Sequence, residues 1–178
     1  MRKVVAYLDK VVQGLTSVAT ALAGTCIILT VLIVCYEILM RGFFNAPTEW
    51  SIEFSVYLVL VSGFLGLAAA LADDKHIKVD LLTSLMPPKA NKTLGVMVSL
   101  AGLIFSFVLL IEGWEMMASS YELGRTSTST LRIPLYLPQA AVPLGALLLT
   151  LQFIRKIVKD LVELFTKDTS PTKARVEG

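Results

Sequence analysis

Charge is what this sequence has little of. Asp, Glu, Lys and Arg make up 17% of its 178 residues, where a soluble domain carries about 25%. A fully solvated surface is hard to build from so few. Histidine occurs once, as His76, and cysteine twice, as Cys26 and Cys35. A disulfide framework is excluded within their helix, because residues nine apart point about 180° from each other. His76 and Asp80 stand at i,i+4, but one imidazole and scattered acids make a poor metal site. A net charge of +2, with no basic cluster interleaved with aromatics, excludes a nucleic-acid surface. There is no phosphate-binding glycine loop, no nucleophile–base pair, no internal repeat and no low-complexity tract.

What is present is apolar. Hydrophobic residues make up 55% of the chain, and the mean hydropathy is +0.72. The charges avoid four stretches: 11–36, 54–72, 93–111 and 133–154. A helix needs about 20 apolar residues to cross a hydrocarbon core of about 30 Å. Four runs of this kind predict an all-α membrane protein with four transmembrane helices in a single domain. Small-residue sites at Ala19–Ala21 and Ala21–Ala23 raise a cleavable signal as the rival for the first run. A signal core is only about 7–15 residues long, and here the apolar sequence continues past both sites.

Lys and Arg predict the orientation. Of the 16, only Arg41, Arg125 and Arg132 fall on one side of the alternating spans, and 13 fall on the other. Positive residues collect on the cytoplasmic side, so both termini are expected there, with two loops outside.

The first outer loop, 37–53, has internal order. Glu37 and Arg41 have the i,i+4 spacing and direction of a helical ion pair. Phe43, Phe44 and Trp50 suit the membrane interface. Pro47 disfavours helix at Ala46, and Thr48 is placed to cap a new helix whose first turn holds Glu49, with Glu53 just beyond. The expectation is a short interfacial helix, a turn at 45–47 and a fresh helix start. The second run carries Ser62, Gly66 and Ala70 at four-residue spacing, and the third a looser set, Ser99, Gly102 and Ser106. Small residues let helices approach in lipid. The contact is either within this chain or with another membrane protein.

The stretch 73–80, DDKHIKVD, reads as a solvated inner loop. Pro87 and Pro88 break the chain before the third run. Beyond that run Trp114, Met117, Ala118 and Tyr121 form an amphipathic stripe, and Gly124 is a helix stop. Residues 125–132, RTSTSTLR, read as an extended polar segment, either a plain loop or a landing surface outside the membrane. After the fourth run, 155–168 is expected to be a basic amphipathic helix on the cytoplasmic surface, and 169–178 a disordered tail.

An ionisable residue inside a span marks a functional site by default. The four runs hold none, and none is broken at mid-depth as transporter helices are. No catalytic, substrate-binding or metal-binding residue is nominated, and no cofactor. The chain reads as a scaffold or accessory subunit, not an enzyme.

The motifs in order are RGFFNAP at 41–47, WSIE at 50–53, glycines at 63 and 66, HIKVD at 76–80, Pro87, LRIP at 131–134 and PLG at 143–145. Together, over about 10–160, they resemble the DctQ-like small membrane subunits of tripartite ATP-independent periplasmic (TRAP) transporters. Ile52 departs from the second acid that many relatives carry beside Glu53. The resemblance implies a bacterial inner-membrane protein bound to a large multi-helix TRAP subunit, which carries the ion and substrate sites. A periplasmic substrate-binding protein would visit transiently, and an ion gradient would drive uptake of an organic acid. It further implies that Arg41, Asn45, Trp50 and Glu53 order the outer elbow, and His76 and Asp80 the inner one. With Ser62, Gly66 and Ala70 these are expected structural or partner contacts. Two other readings stand beside this one. A self-sufficient four-helix transporter acting as a homo-oligomer would be expected to carry an embedded Glu. A membrane-anchored assembly factor would play no part in transport.

Overall fold

The computed structural model describes residues 2–72, 88–129 and 131–167, with side chains for 9–72, 95–129 and 131–159. Helix α1 spans Arg2–Phe44, α2 Glu49–Ala72 and α3 Pro88–Glu122. A single turn, α4, covers Tyr136–Gln139, and α5 runs from Ala141 to Lys167. Four of these, all but α4, contain a stretch long and apolar enough to cross a membrane. Strand pairing among the described residues is limited to one bridge, Thr126 to Pro134.

The helices form an open slab rather than a closed bundle. α1 packs on α2, α2 on α5, and α5 on α3, with a smaller contact between α1 and α5. Half of the α5 span is buried, against 11% of each of the other three. Glycine explains how α5 takes two neighbours at once. At Gly145 a Cβ would stand 2.4 Å from the Phe64 carbonyl oxygen, so α2 and α5 meet backbone to backbone. On the other side the Phe153 ring occupies the space over Gly102 of α3, and Val142 and Pro143 press on Gly113.

Along α3 Ser99, Ser106, Gly113 and Ser120 are all buried and seven residues apart, and Ser106 and Gly113 of this row meet α5. A seven-residue repeat keeps one edge of a helix facing its partner. The looser set Ser99, Gly102 and Ser106 is therefore spent within the chain. The Trp114, Met117, Ala118 and Tyr121 stripe is not that row. Trp114 and Tyr121 point outward, because α5 comes too close at Gly113 to admit a ring.

Polar side chains lock the slab. Thr150 Oγ1 donates to Ser106 Oγ at 3.1 Å. Gln152 Nε2 donates to Thr16 Oγ1 at 2.6 Å, with both side chains buried. Arg155 Nε reaches Asp9 at 2.6 Å, and Arg155 Nη1 returns to the Gln152 oxygen at 3.2 Å.

Two local expectations are corrected. No separate interfacial helix follows the first span: α1 continues unbroken through Phe44, because nothing before Asn45 interrupts its backbone bonds. The fourth span does not begin at Ile133, because Ile133 and Pro134 are taken up in a hairpin-like loop and helix resumes only at α4. Pro143 in the first turn of α5 displaces no helical bond. The segment after 154 continues α5 without a break through Lys167. Gly124 does stop α3. It has φ +57°, and the Arg125 and Gly124 N–H groups donate to the Ser120 and Tyr121 carbonyls, the paired bonds of a glycine C-cap. The inner loop at 73–80 and the tail at 169–178 lie outside the described residues.

Candidate functional site

The sharp turn between α1 and α2 is built by three residues. Asn45 takes the left-handed conformation at φ +48°, which Asn tolerates better than most residues. The Ala46 N–H donates back to the Met40 carbonyl at 3.3 Å. Pro47 keeps the chain extended until α2 begins at Glu49.

Glu37 sits at the centre of this elbow, buried near the end of α1. One carboxylate oxygen accepts from Arg41, at 2.7 Å from Nη2 and 3.2 Å from Nε. The other accepts the Thr48 N–H at 3.0 Å, the Thr48 hydroxyl, and the Ser51 hydroxyl at 2.9 Å. Thr48 therefore does not cap α2 with its side chain as expected; its hydroxyl turns to α1 instead. Ser51 Oγ also lies 2.7 Å from the Thr48 carbonyl, so its single proton is shared between two acceptors. On the flank, Tyr36, Trp50 and Phe54 form an aromatic row with ring centroids 5.9 and 6.1 Å apart.

A second carboxylate extends the brace. Glu53, buried one turn into α2, accepts from the Tyr57 hydroxyl at 2.7 Å and from the Ser129 hydroxyl, 76 positions along the chain. Ser129 belongs to the loop between α3 and α4. There Ser127 N–H donates to the Ile133 carbonyl at 2.8 Å and Leu135 N–H to the Arg125 carbonyl at 3.0 Å. The polar segment is thus a narrow hairpin-like loop closed on itself and tied to α2.

Arg41, Asn45, Trp50 and Glu53 all lie at this elbow. Ser62 is buried and bonds the Val59 carbonyl at 2.8 Å. Gly66 has no atom within 4 Å of where a Cβ would stand, and Ala70 is exposed. On this face packing within the chain accounts for Ser62 and not for Gly66. His76 and Asp80 lie outside the described residues. Sequence reasoning paired Glu37 with Arg41 but missed its bridge to α2, and missed Ser51, Ser129 and Gln152. For Glu37 the signal was available: a carboxylate at the edge of a span, facing a Thr and a Ser just past the turn. Chemically, both carboxylates are surrounded by donors and act as braces. Among the described residues no three His, Cys, Asp or Glu side chains converge on a metal-sized site.

Residues 30–163, which contain the elbow, α2, α3 and most of α5, match the family described as tripartite ATP-independent periplasmic transporters, DctQ component. The chain belongs to this family. It is a small TRAP transporter permease component, multi-pass in a bacterial inner membrane. The sialic acid TRAP transporter permease protein SiaT of Haemophilus influenzae is 34% identical over 89 residues, 50% of this chain and 14% of that protein. The C4-dicarboxylate TRAP transporter small permease protein DctQ of Vibrio cholerae is 24% identical over 140 residues, 67% of this chain and 60% of that one. The chain thus spans less than two thirds of either relative.

Proposed function

We propose that this subunit is the stationary frame of a TRAP uptake system. It holds a large multi-helix membrane subunit in place while that subunit carries an organic acid inward on an ion gradient. The acid is delivered by a periplasmic binding protein. The observation that carries this reading is the placement of charge. The described charged side chains sit toward the ends of the spans, and those at the elbow and the cytoplasmic end are engaged: Asp9 with Arg155, Glu37 with Arg41, and Glu53 with Tyr57 and Ser129. The buried Thr150 hydroxyl and Gln152 amide are turned to neighbouring helices of the same chain, and the Ser62 hydroxyl to its own helix backbone. Such an interior offers a passing solute no charged group to bind.

The length of one relative supports a large partner. In the sialic acid relative the matched stretch is about a seventh of a much longer permease chain. Both relatives are named for carboxylic acids, which supports an organic acid as cargo. The Lys and Arg distribution supports cytoplasmic termini and, with them, a periplasmic elbow and 125–135 loop. There they stand where a soluble delivery protein approaches.

Deleting the gene for this chain should abolish uptake while the soluble protein still binds its substrate. Normal uptake in the deletion strain would defeat the proposal. So would ion-driven flux from the purified chain reconstituted alone.

A further inference from the structure

Below the elbow an open groove of about 530 Å³ lies between α1 and α2. Val34, Ile38 and Gly42 line it from α1, and Ile52, Ser55 and Val56 from α2. Glu37 lines it between Val34 and Ile38, and Arg41 stands toward its elbow end. The bonds from Glu37 to Thr48 and Ser51 set the spacing of the two helices there. Gly42 keeps one wall low, with no atom within 4 Å of where a Cβ would stand.

The mouth carries an exposed guanidinium that Glu37 pairs on one edge only. Arg41 gives Nε and Nη2 to Glu37, while Nη1 meets no acceptor among the described residues. The Arg41 side chain is 60% exposed. Depth fits the same picture. From Val34 to Arg41 is about 10 Å of helix, roughly two thirds of the ~15 Å that one leaflet contributes to the hydrocarbon core. An apolar trough therefore descends into one leaflet from a guanidinium at headgroup level.

We propose that this groove binds one phospholipid. Its phosphate accepts a hydrogen bond from Arg41 Nη1, and an acyl chain lies along Val34, Ile38, Ile52 and Val56. The exposed Nη1 edge of the Glu37-paired guanidinium offers a donor to a phosphodiester oxygen, and the walls are complementary to methylene. The lipid fills the cleft that the elbow brace holds open. The inference rests on the groove and not on the transport reading, so either can fail without the other.

The test uses the full chain, extracted with whatever membrane partner it holds and equilibrated with phosphatidylethanolamine–phosphatidylglycerol vesicles. Native mass spectrometry after delipidation counts the retained phospholipid. Wild type should keep one. Arg41→Gln should lower the retained fraction about tenfold, the scale of one lost charge-assisted hydrogen bond. Gly42→Trp, which fills the trough and leaves the cation in place, should lower it as much. Both positions are open enough that helix content should stay at the wild-type level by circular dichroism. Unchanged retention in either variant overturns the proposal. It is equally overturned if Gly42→Cys cross-links to a helix of the large subunit or of a second copy.

Discussion

Ser51 and Glu37, fourteen positions apart, are joined by a 2.9 Å hydrogen bond that ties the first turn of α2 to the last turns of α1. With the Thr48 N–H on the same carboxylate oxygen, it makes the elbow a closed unit rather than a free linker. Glu37→Ala removes the acceptor for Thr48, Ser51 and Arg41 together. The thermal midpoint of the purified subunit should fall by several degrees, while Arg41→Ala, which leaves the link to α2 intact, should lower it less. A scan showing the two variants equal would remove Glu37 from the centre of the elbow.

Two glycines should respond in opposite ways. Gly145→Ala places a methyl against the Phe64 carbonyl, and overpacking of this kind costs about 1–3 kcal/mol. Gly63→Ala enters open space and should stay within about 0.5 kcal/mol of wild type. Reversible unfolding in mixed micelles measures both.

Gly66→Leu tests the outward face of α2. Among the described residues no atom lies within 4 Å of where a Cβ would stand, so the isolated subunit should keep its stability. Co-purification with the large subunit should fall if the close approach is made there. Undiminished co-purification would assign that face to lipid.

Gln152 and Thr16 are 136 positions apart and bonded at 2.6 Å. Interhelical hydrogen bonds in membranes contribute about 0.6 kcal/mol on average and at most about 1.7. Gln152→Leu and Thr16→Val should each destabilise by that order, and the double variant should cost less than the two singles combined. Full additivity in the double-mutant cycle would mean that the bond does not hold α1 to α5.

Glu53→Gln should loosen the 125–135 loop without disturbing the spans, because Ser129 is its remote tie to α2. Amide hydrogen exchange should quicken at Ser127 and Leu135, whose N–H groups close the loop. Exchange in α2 and α3 should be unchanged. If exchange in the loop is also unaffected, its own backbone bonds are sufficient.

The features legible beforehand were those governed by neighbours in the chain. Hydropathy over about twenty residues marked the four spans, Pro47 marked the turn, Gly124 marked the end of α3, and Glu37 with Arg41 stood one helical turn apart. The errors arose where a local signal met a distant contact. Thr48 has the identity of an N-cap, but its hydroxyl turned to Glu37 once α1 lay alongside. The Trp114 stripe has helical spacing, but Val142 and Pro143 at Gly113 decided which side of α3 could be covered. Ser62, Gly66 and Ala70 read as one face, yet only Ser62 is buried.

By itself the sequence determined that the chain crosses a membrane four times, where it bends, and which family it belongs to. Each follows from runs and motifs that need no knowledge of what packs on what. Only the tertiary structure decided that α5 is the hub, that the helices form a slab open on its faces, and that Glu37 and Glu53 are braces. In hydrocarbon every span is apolar on all sides, so hydropathy carries no information about which side meets a neighbour. That choice falls to the few places where a missing Cβ or a buried hydroxyl lets two backbones come together.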